Sequence, residues 1–298
     1  CPHRRAGLFF GRNEEGGLRC VYHGWKFDRH GACLERPCEP TDSETTRKGA
    51  RIKAYPTHEA GGAVWVYMGP AEQRPPFPQF EWTRMAPARR TLVKRLQQCN
   101  WAQAVEGGVD SSHISFLHSK TEAQLVRDPA VNNKLHTADR RPTFHVEEAQ
   151  YGLMIAARRD AGSDEYYWRV TQFLAPFWTM IPPVGSFRDS GQAPYDGHAW
   201  VPIDDENTWT WSFAANPHRD FTPEEAAHRG GRGGLWGPID EHYRPLLNRE
   251  NDYKIDRQTQ RLSNFTGIEG IPNQDAAVQE SMGAISDRTG EMLGSSDR

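Results

Sequence analysis

Near its start the chain carries Cys1-Pro2-His3 and, 16 residues on, Cys20-Val21-Tyr22-His23. The spacing C-x-H-x16-C-x2-H builds two short loops that each offer one thiolate and one imidazole. This donor set suits a [2Fe–2S] cluster in which two Cys hold one iron and two His hold the other. Replacing two thiolates by neutral imidazoles makes such a cluster less negative and raises its potential, so it accepts electrons readily. Zinc also takes two Cys and two His, but its sites usually pair Cys with Cys and His with His. The mixed loops favour the cluster. Gly24 and Trp25 follow His23; glycine lets backbone approach the sulfurs, and the indole can screen water.

A second constellation is D-x2-H-x4-H, formed by Asp110, His113 and His118. Two His five apart sit about 140° apart on a regular helix, so they converge only if the helix bends or ends between them. Gly107-Gly108 already weakens regularity there. A His pair alone is more often structural, and the cluster motif upstream is what lends this one weight. Two His and one carboxylate make the facial triad of non-haem Fe(II) oxygenases, which leaves coordination positions open for O₂. Asp110, Asp275 and Glu280 are candidate carboxylates, and spacing alone does not choose among them.

Both constellations need scaffolds. With 298 residues, 37% hydrophobic and 11% aromatic, the chain can bury two cores. A mean hydropathy of −0.79 with no long apolar run predicts no transmembrane helix. The net charge of −3, with charges interspersed, gives no case for nucleic acid or an anionic membrane. Of the five Cys, Cys33 and Cys38 could pair in an oxidising compartment. An iron–sulfur protein instead implies a reducing cytoplasm and thiols.

Short β-like runs at Gly7–Arg12, Gly17–His23, Lys26–Asp28 and Ala63–Met68 predict a small antiparallel β domain over residues 1–72. The proline-bearing stretch 73–90 reads as a linker. Residues 91–298 read as an α+β domain. It has a helical stretch around Cys99–His118, then strands at Thr143–Glu148, Leu153–Arg158, Tyr166–Phe173, Phe177–Ile181 and Thr208–Ala214. Helical or irregular material follows at Pro223–His228, Ile239–Arg249 and Asp275–Glu291.

The cluster loops, N-W-A-Q-A-V-E-G-G-V-D-S-S-H-I-S-F-L-H at 100–118 and Q-D-A-A-V-Q-E-S-M-G at 274–283 resemble Rieske non-haem iron oxygenases. Within that family the likeness is to phthalate 4,5-dioxygenase-type oxygenase (alpha) subunits, over essentially the whole chain. The resemblance implies a small Rieske domain followed by a helix-grip, START-like antiparallel sheet. It implies cluster ligands Cys1, His3, Cys20 and His23, and iron ligands His113, His118 and Asp275. Asp110 matches the catalytic carboxylate that bridges one subunit's iron site to a cluster histidine of the next, which implies a ring, by resemblance a homotrimer. Asn100 matches a polar residue near the metal, and Glu280 a position on the helix of the ligand Asp. Family members carry sequence before the first Cys and a helix after this chain's end, so a chain truncated at both ends is expected.

The implied activity is a terminal oxygenase that uses O₂ to hydroxylate an aromatic substrate, an aromatic carboxylate such as phthalate. It draws electrons from a separate flavin/iron–sulfur reductase, since Gly230–Gly234 lacks the strand–turn–helix context of a dinucleotide site. Ser111 matches a substrate-contacting position, and Arg140, Arg141 and Arg169 are candidates for fixing the carboxylate, although Arg on a strand is more often solvated. Phe173, Phe177, Trp178 and Met180 have pocket-like character, ordinary sheet core being the plainer alternative. A monooxygenase or O-demethylase would use the same ligands. An electron carrier with no chemistry of its own would leave Asp110, His113, His118 and Asp275 unexplained, and a zinc-stabilised binding module would be colourless.

Overall fold

The computed structural model describes residues 1–41, 43–121, 135, 138–182, 193–230, 234 and 237–297. The chain divides into two compact units, Cys1–Gln79 and Phe80–Arg298.

The first unit is a four-stranded antiparallel meander of β1 (Arg12–Glu14), β2 (Gly17–Arg19), β3 (Lys26–Asp28) and β4 (Cys33–Glu35). It also contains α1 (Glu44–Arg47) and the hairpin of β5 (Thr57–Ala60) and β6 (Ala63–Val66). Trp25, Phe27 and Ala50 form its core, with Cys1, Leu8, Cys33 and Ile52 against them. Two expected strands differ. Leu8–Phe10 is a 3-10 turn with Phe9 and Phe10 exposed, because strand propensity expresses a fit to a half-buried pleated surface that this segment does not meet. The run from Gly17 stops at Arg19, because Cys20 N–H bonds to Trp25 C=O at 2.8 Å and Gly24 N–H to Cys20 C=O at 2.9 Å. That closes a turn.

The second unit is built on seven antiparallel strands in the order β7-β13-β12-β11-β10-β9-β8. In chain order these are β7 (Arg90–Gln97), β8 (Thr143–Ala149), β9 (Gly152–Gly162), β10 (Glu165–Leu174), β11 (Trp178–Ile181), β12 (Tyr195–Pro202) and β13 (Thr208–Ala215). Its helices with described bounds are α2 (Glu81–Arg84), α3 (Trp101–Val109), α4 (Pro223–Gly230), α5 (Arg257–Leu262) and α6 (Ile271–Ser281). Along β10, Tyr167, Arg169 and Thr171 point inward while Tyr166, Trp168 and Val170 are exposed, the period of two of a half-covered sheet. Trp82 of α2 stacks on Phe213 with ring centroids 4.7 Å apart. Phe177 packs beside the Cys99–Ala104–Trp200 core, and Trp178 meets Phe80 and Phe213. Phe177 and Trp178 therefore pack as sheet core. The antiparallel sheet with helices is the α+β arrangement expected from the order of segments in the sequence.

Two described strands of the second unit escaped the sequence reading. β7 looks polar (R-T-L-V-K-R-L-Q), yet its Arg95 and Gln97 are buried as hydrogen-bonding groups. β12 is interrupted by Gly197 and ends at Pro202, which blunts its pattern.

The polar face of β7 holds α6. Arg95 donates to Pro272 C=O at 2.6 Å, Gln97 donates to the Gln279 side chain, and Gln98 N–H donates to Glu280 at 3.0 Å. From α3, Gln103 donates to the carbonyls of Gln279 at 3.2 Å and Gly283 at 3.0 Å. The glycine pair in α3 is a point of close approach. A Cβ on Gly107 would lie 2.1 Å from Gln279 Nε2, and one on Gly108 would lie 2.8 Å from the Trp200 ring. Gly108→Val is expected to cost about 1–3 kcal/mol by overpacking, read as a lower urea midpoint. An unchanged midpoint would show that α3 and β12 are not in the contact described.

Candidate metal centres

In the first unit the two Cys–His loops come together. The His3 ring stacks on Trp25 (centroids 4.8 Å apart, planes 5°) and meets His23 edge-on at 4.6 Å. Cys20 is buried, and Cys1 packs against the Trp25–Phe27 core. Arg19 clamps the second loop, donating to Glu14, Glu35 and Gly24 C=O, each at 2.7 Å. Gly24 has φ +73°, and a Cβ there would stand 2.7 Å from Pro37 Cγ, so only glycine suits this turn.

These residues fit a two-iron cluster. His23 Nδ1 is buried without a hydrogen-bond partner, a costly state unless a metal takes the lone pair. A single ion fits less well. Among the described residues, only His113, His118 and Asp275 bring three ligand atoms within 4.8 Å of one another. Cys1, Cys20, Cys38 and Cys99 are free thiols, so Cys33 and Cys38 do not pair.

In the second unit α3 ends at Val109, before either histidine, and not between them as the spacing had suggested. Asp110 follows the helix with extended backbone. Its carboxylate accepts Ser112 N–H at 2.6 Å and His113 N–H at 2.9 Å, and lies 3.0 Å from His113 Nδ1. A 3-10 turn, His113–Ser115, then reverses the chain toward His118. His118 Nδ1 is 2.7 Å from Gln274 Oε1, while Gln274 Nε2 donates to Ile268 C=O at 2.9 Å.

Neither Asp110 carboxylate nor Gln274 Oε1 can donate, so both Nδ1 atoms carry the proton and both Nε2 atoms present lone pairs. Those Nε2 atoms are 3.2 Å apart. Asp275 Oδ1 lies 3.2 Å from His118 Nε2 and 3.6 Å from His113 Nε2. Burial pushes the Asp275 carboxyl up, but His118's hydrogen bond and charge, with His113 and Arg95, hold it below the usual carboxylate range. Burial lowers His118, and Asp275 more than reverses this to raise it. Two imidazole lone pairs and a carboxylate aimed at one point fit an open-sided Fe(II) triad.

Arg159 escaped the sequence reading. Fully buried on β9, it donates to Ser111 C=O, to Ser111 Oγ at 3.3 Å and to Ser115 Oγ at 3.3 Å, fixing the turn between Asp110 and His118. Only packing reveals it, since an Arg on a strand normally signals a solvated face. Gln274 stood beside Asp275 in the sequence, and its adjacency to a ligand was the available signal.

The triad opens onto a cavity of about 730 Å³. Arg169 and Ser111 line it, with Thr171, Ile181, His198 and Trp200. Arg169 is buried, not solvated. The structure does not bring Arg141 to this cavity: it is exposed, ahead of β8. Arg140 lies over the Phe116 ring at 5.3 Å. Asn100 does not line it either. It caps α3, accepting Ala102 N–H at 3.0 Å, as an Asn before a helical run does. Glu280 accepts from Gln98 N–H and Tyr253 O–H, so it anchors α6 to its surroundings. Of the Gly230–Gly234 run, residues 231–233 lie outside the described residues.

Comparison with known proteins agrees with this geometry. Residues 1–56 match the Rieske [2Fe-2S] domain and residues 66–298 the LigXa C-terminal domain like family. The chain is 41% identical to the phthalate 4,5-dioxygenase oxygenase subunit of Pseudomonas putida, covering 100% of this chain and 67% of that protein. It is 36% identical to the 3-chlorobenzoate-3,4-dioxygenase oxygenase subunit of Comamonas testosteroni, covering 100% and 70%. The fold matches dicamba monooxygenase bound to dicamba with a TM-score of 0.61 at 17% identity, over 100% of this chain and 80% of that one. The chain therefore belongs to the Rieske-type oxygenase subunits with a LigXa-like C-terminal domain. The Rieske domain is a [2Fe-2S] domain, and the dicamba monooxygenase fold has been solved with non-haem iron.

Gln274→Leu removes the acceptor that orients His118, and iron affinity is expected to fall about 10–100-fold, measured by chelator competition on full-length protein. The cluster's visible spectrum serves as the control. Retained iron affinity would show that Gln274 does not set this ligand. A second outcome concerns His198, whose ring burial, reinforced by Arg95, holds at about 3. Unfolded His titrates near about 6.5, so between these values the unfolded chain binds a proton that the folded chain does not. Stability should fall as pH drops through that window, by up to about 1.4 kcal/mol per unit. In urea melts at stepped pH, His198→Gln should have the shallower acid slope, and an equal slope would place the charge elsewhere.

Proposed function

We propose that this chain is the terminal oxygenase component of a system that hydroxylates an aromatic carboxylate, such as phthalate, with O₂ and electrons from a partner reductase. Cys1, His3, Cys20 and His23 hold the cluster, and His113, His118 and Asp275 hold the iron. When bound, these groups supply single electrons and an O₂-activating centre respectively. The observation that carries this assignment is a three-ligand convergence on the wall of a cavity that also buries a guanidinium, Arg169.

The protein's own groups do the rest. Arg169 can fix a carboxylate at a depth where water does not compete. Ile181 and Trp200 present apolar surface to the ring. Asp110 holds the His113 tautomer with one oxygen, while its side chain stays 37% exposed. That exposure lets it accept a further N–H from a cluster histidine of a neighbouring copy, which requires a closed ring; by resemblance, a trimer. A hydrogen-bonded carboxylate between two metal-bound imidazoles is a short path for an electron. The thiolate ligands suit the reducing cytoplasm, and no helix among the described residues is long and apolar enough to cross a membrane.

The test is full-length, iron-loaded protein with a reductase and phthalate, following O₂ uptake against product with labelled O₂. Two labelled atoms in product mean dioxygenation and one means monooxygenation or demethylation. Uptake without product from any aromatic carboxylate would reject the substrate class. Asp110→Asn, assayed at saturating iron with the cluster's visible spectrum as control, is expected to slow turnover about 10–100-fold. Full turnover with that variant would sink the electron path through Asp110.

A further inference from the structure

The cavity is lined by the carboxamides of Asn264, Asn273, Gln274 and Gln279. The first three spend an amide N–H on a carbonyl. Asn264 donates to Ile268 C=O at 3.2 Å, Asn273 to Glu269 C=O at 2.9 Å and Gln274 to Ile268 C=O at 2.9 Å. Gln279 differs. Only 4% exposed, it accepts at Oε1 from Gln97, whose own Oε1 accepts the Thr210 O–H at 3.1 Å. This relay from β13 through β7 to α6 fixes which end of the Gln279 amide is spent. Nε2 is left over, with no acceptor among the described residues. Gly107, which lines the same cavity, makes room for it: a Cβ there would lie 2.1 Å from Nε2. A donor held this deep without an acceptor marks a place for a ligand.

Resting on the aromatic-substrate reading above, we infer that Gln279 is a specificity-determining residue: its amide N–H holds an acceptor oxygen carried by the aromatic ring. Gln279 follows Asp275 by four residues, which puts their Cβ atoms about 5–6 Å apart on one face of α6. An oxygen held at Nε2 keeps the ring beside the triad and governs which ring carbon faces the metal. The amide is neutral. Its preference for an oxygen therefore does not hang on the balance between the lining carboxylates (Asp110, Asp196, Glu269 and Asp275) and the lining cations. A site built to donate to an oxygen rejects the isostere that lacks it, because the donor is then left unpaired.

The test compares acetophenone with isopropenylbenzene, neutral isosteres that carry C=O and C=CH₂ respectively. Binding to full-length, iron-loaded protein is read by equilibrium dialysis, with iron content as the control. Wild type should bind acetophenone about tenfold more tightly. Gln279→Met, of similar length but without the donor, should abolish that preference. Gly107→Ala should abolish it too, since its methyl group displaces Nε2 while Gln279 stays in place. Should Gln279→Met fail to fold, Gly107→Ala alone decides. A wild type without the preference, or a preference that survives either substitution, would overturn the inference. Wild type that takes up neither compound nor benzoate would overturn the aromatic-substrate reading itself, whereas benzoate binding without the acetophenone preference overturns only the role of Gln279.

Discussion

Two imidazole lone pairs facing each other 3.2 Å apart beside a carboxylate are held against their own repulsion. The protein creates this by fixing the far side of each ring. Asp110 and Gln274 are acceptors without a proton to give, so each compels its imidazole to donate from Nδ1 and to present Nε2 inward. A proton between the rings relieves the repulsion in part, and a divalent ion relieves it fully. The site's appetite for metal is thus set by residues that do not touch the ion.

Those residues sit on elements that must be held to within tenths of an ångström, and the fold does this with buried polar groups. α6 brings Gln274 and Asp275, and it is latched by Arg95, Gln97 and Gln103. The turn carrying His113 is pinned from beneath by Arg159. Burying guanidinium groups among carbonyls and hydroxyls costs desolvation. What they return is directionality: a hydrogen bond fixes a carbonyl's position, whereas an apolar contact tolerates sliding. Gly107 and Gly108 complete the arrangement by letting α3 close on Gln279 and Trp200.

The candidate Cys and His ligands were legible in the sequence because chemistry restricts them to few residue types at recognisable spacings, whereas Asp275 was singled out only by resemblance, spacing leaving it level with Asp110 and Glu280. The supporting strands were legible where apolar residues alternate, as at Tyr166–Phe173. β7 was not, because its inward face is Arg and Gln and periodicity rules equate polar with exposed. Arg159 was hidden for the same reason. Asn100 differs in the opposite sense: the resemblance implied a place near the metal, while its local chemistry makes it a helix cap. Arg141 and Arg169 could not be told apart by residue type, since only the register of β10 turns one of them inward.

The chemistry of Asp110 suits both its local role in the turn and the longer-range role proposed for it. Burial alone would raise its carboxyl, yet the hydrogen bond from His113 and the amides of Ser112 and His113 bring it below the usual range. It therefore remains an anion, able to accept from several N–H groups at once. A neutral amide in its place offers one carbonyl, already committed to the turn, and has no strong acceptor to spare. An anion at the end of a helix, with one oxygen turned to the iron-site histidine and the group still partly open to solvent, answers both demands. Holding a ligand's tautomer needs a fixed acceptor, and receiving a second imidazole from outside needs unspent acceptor capacity; a carboxylate is the smallest side chain with both.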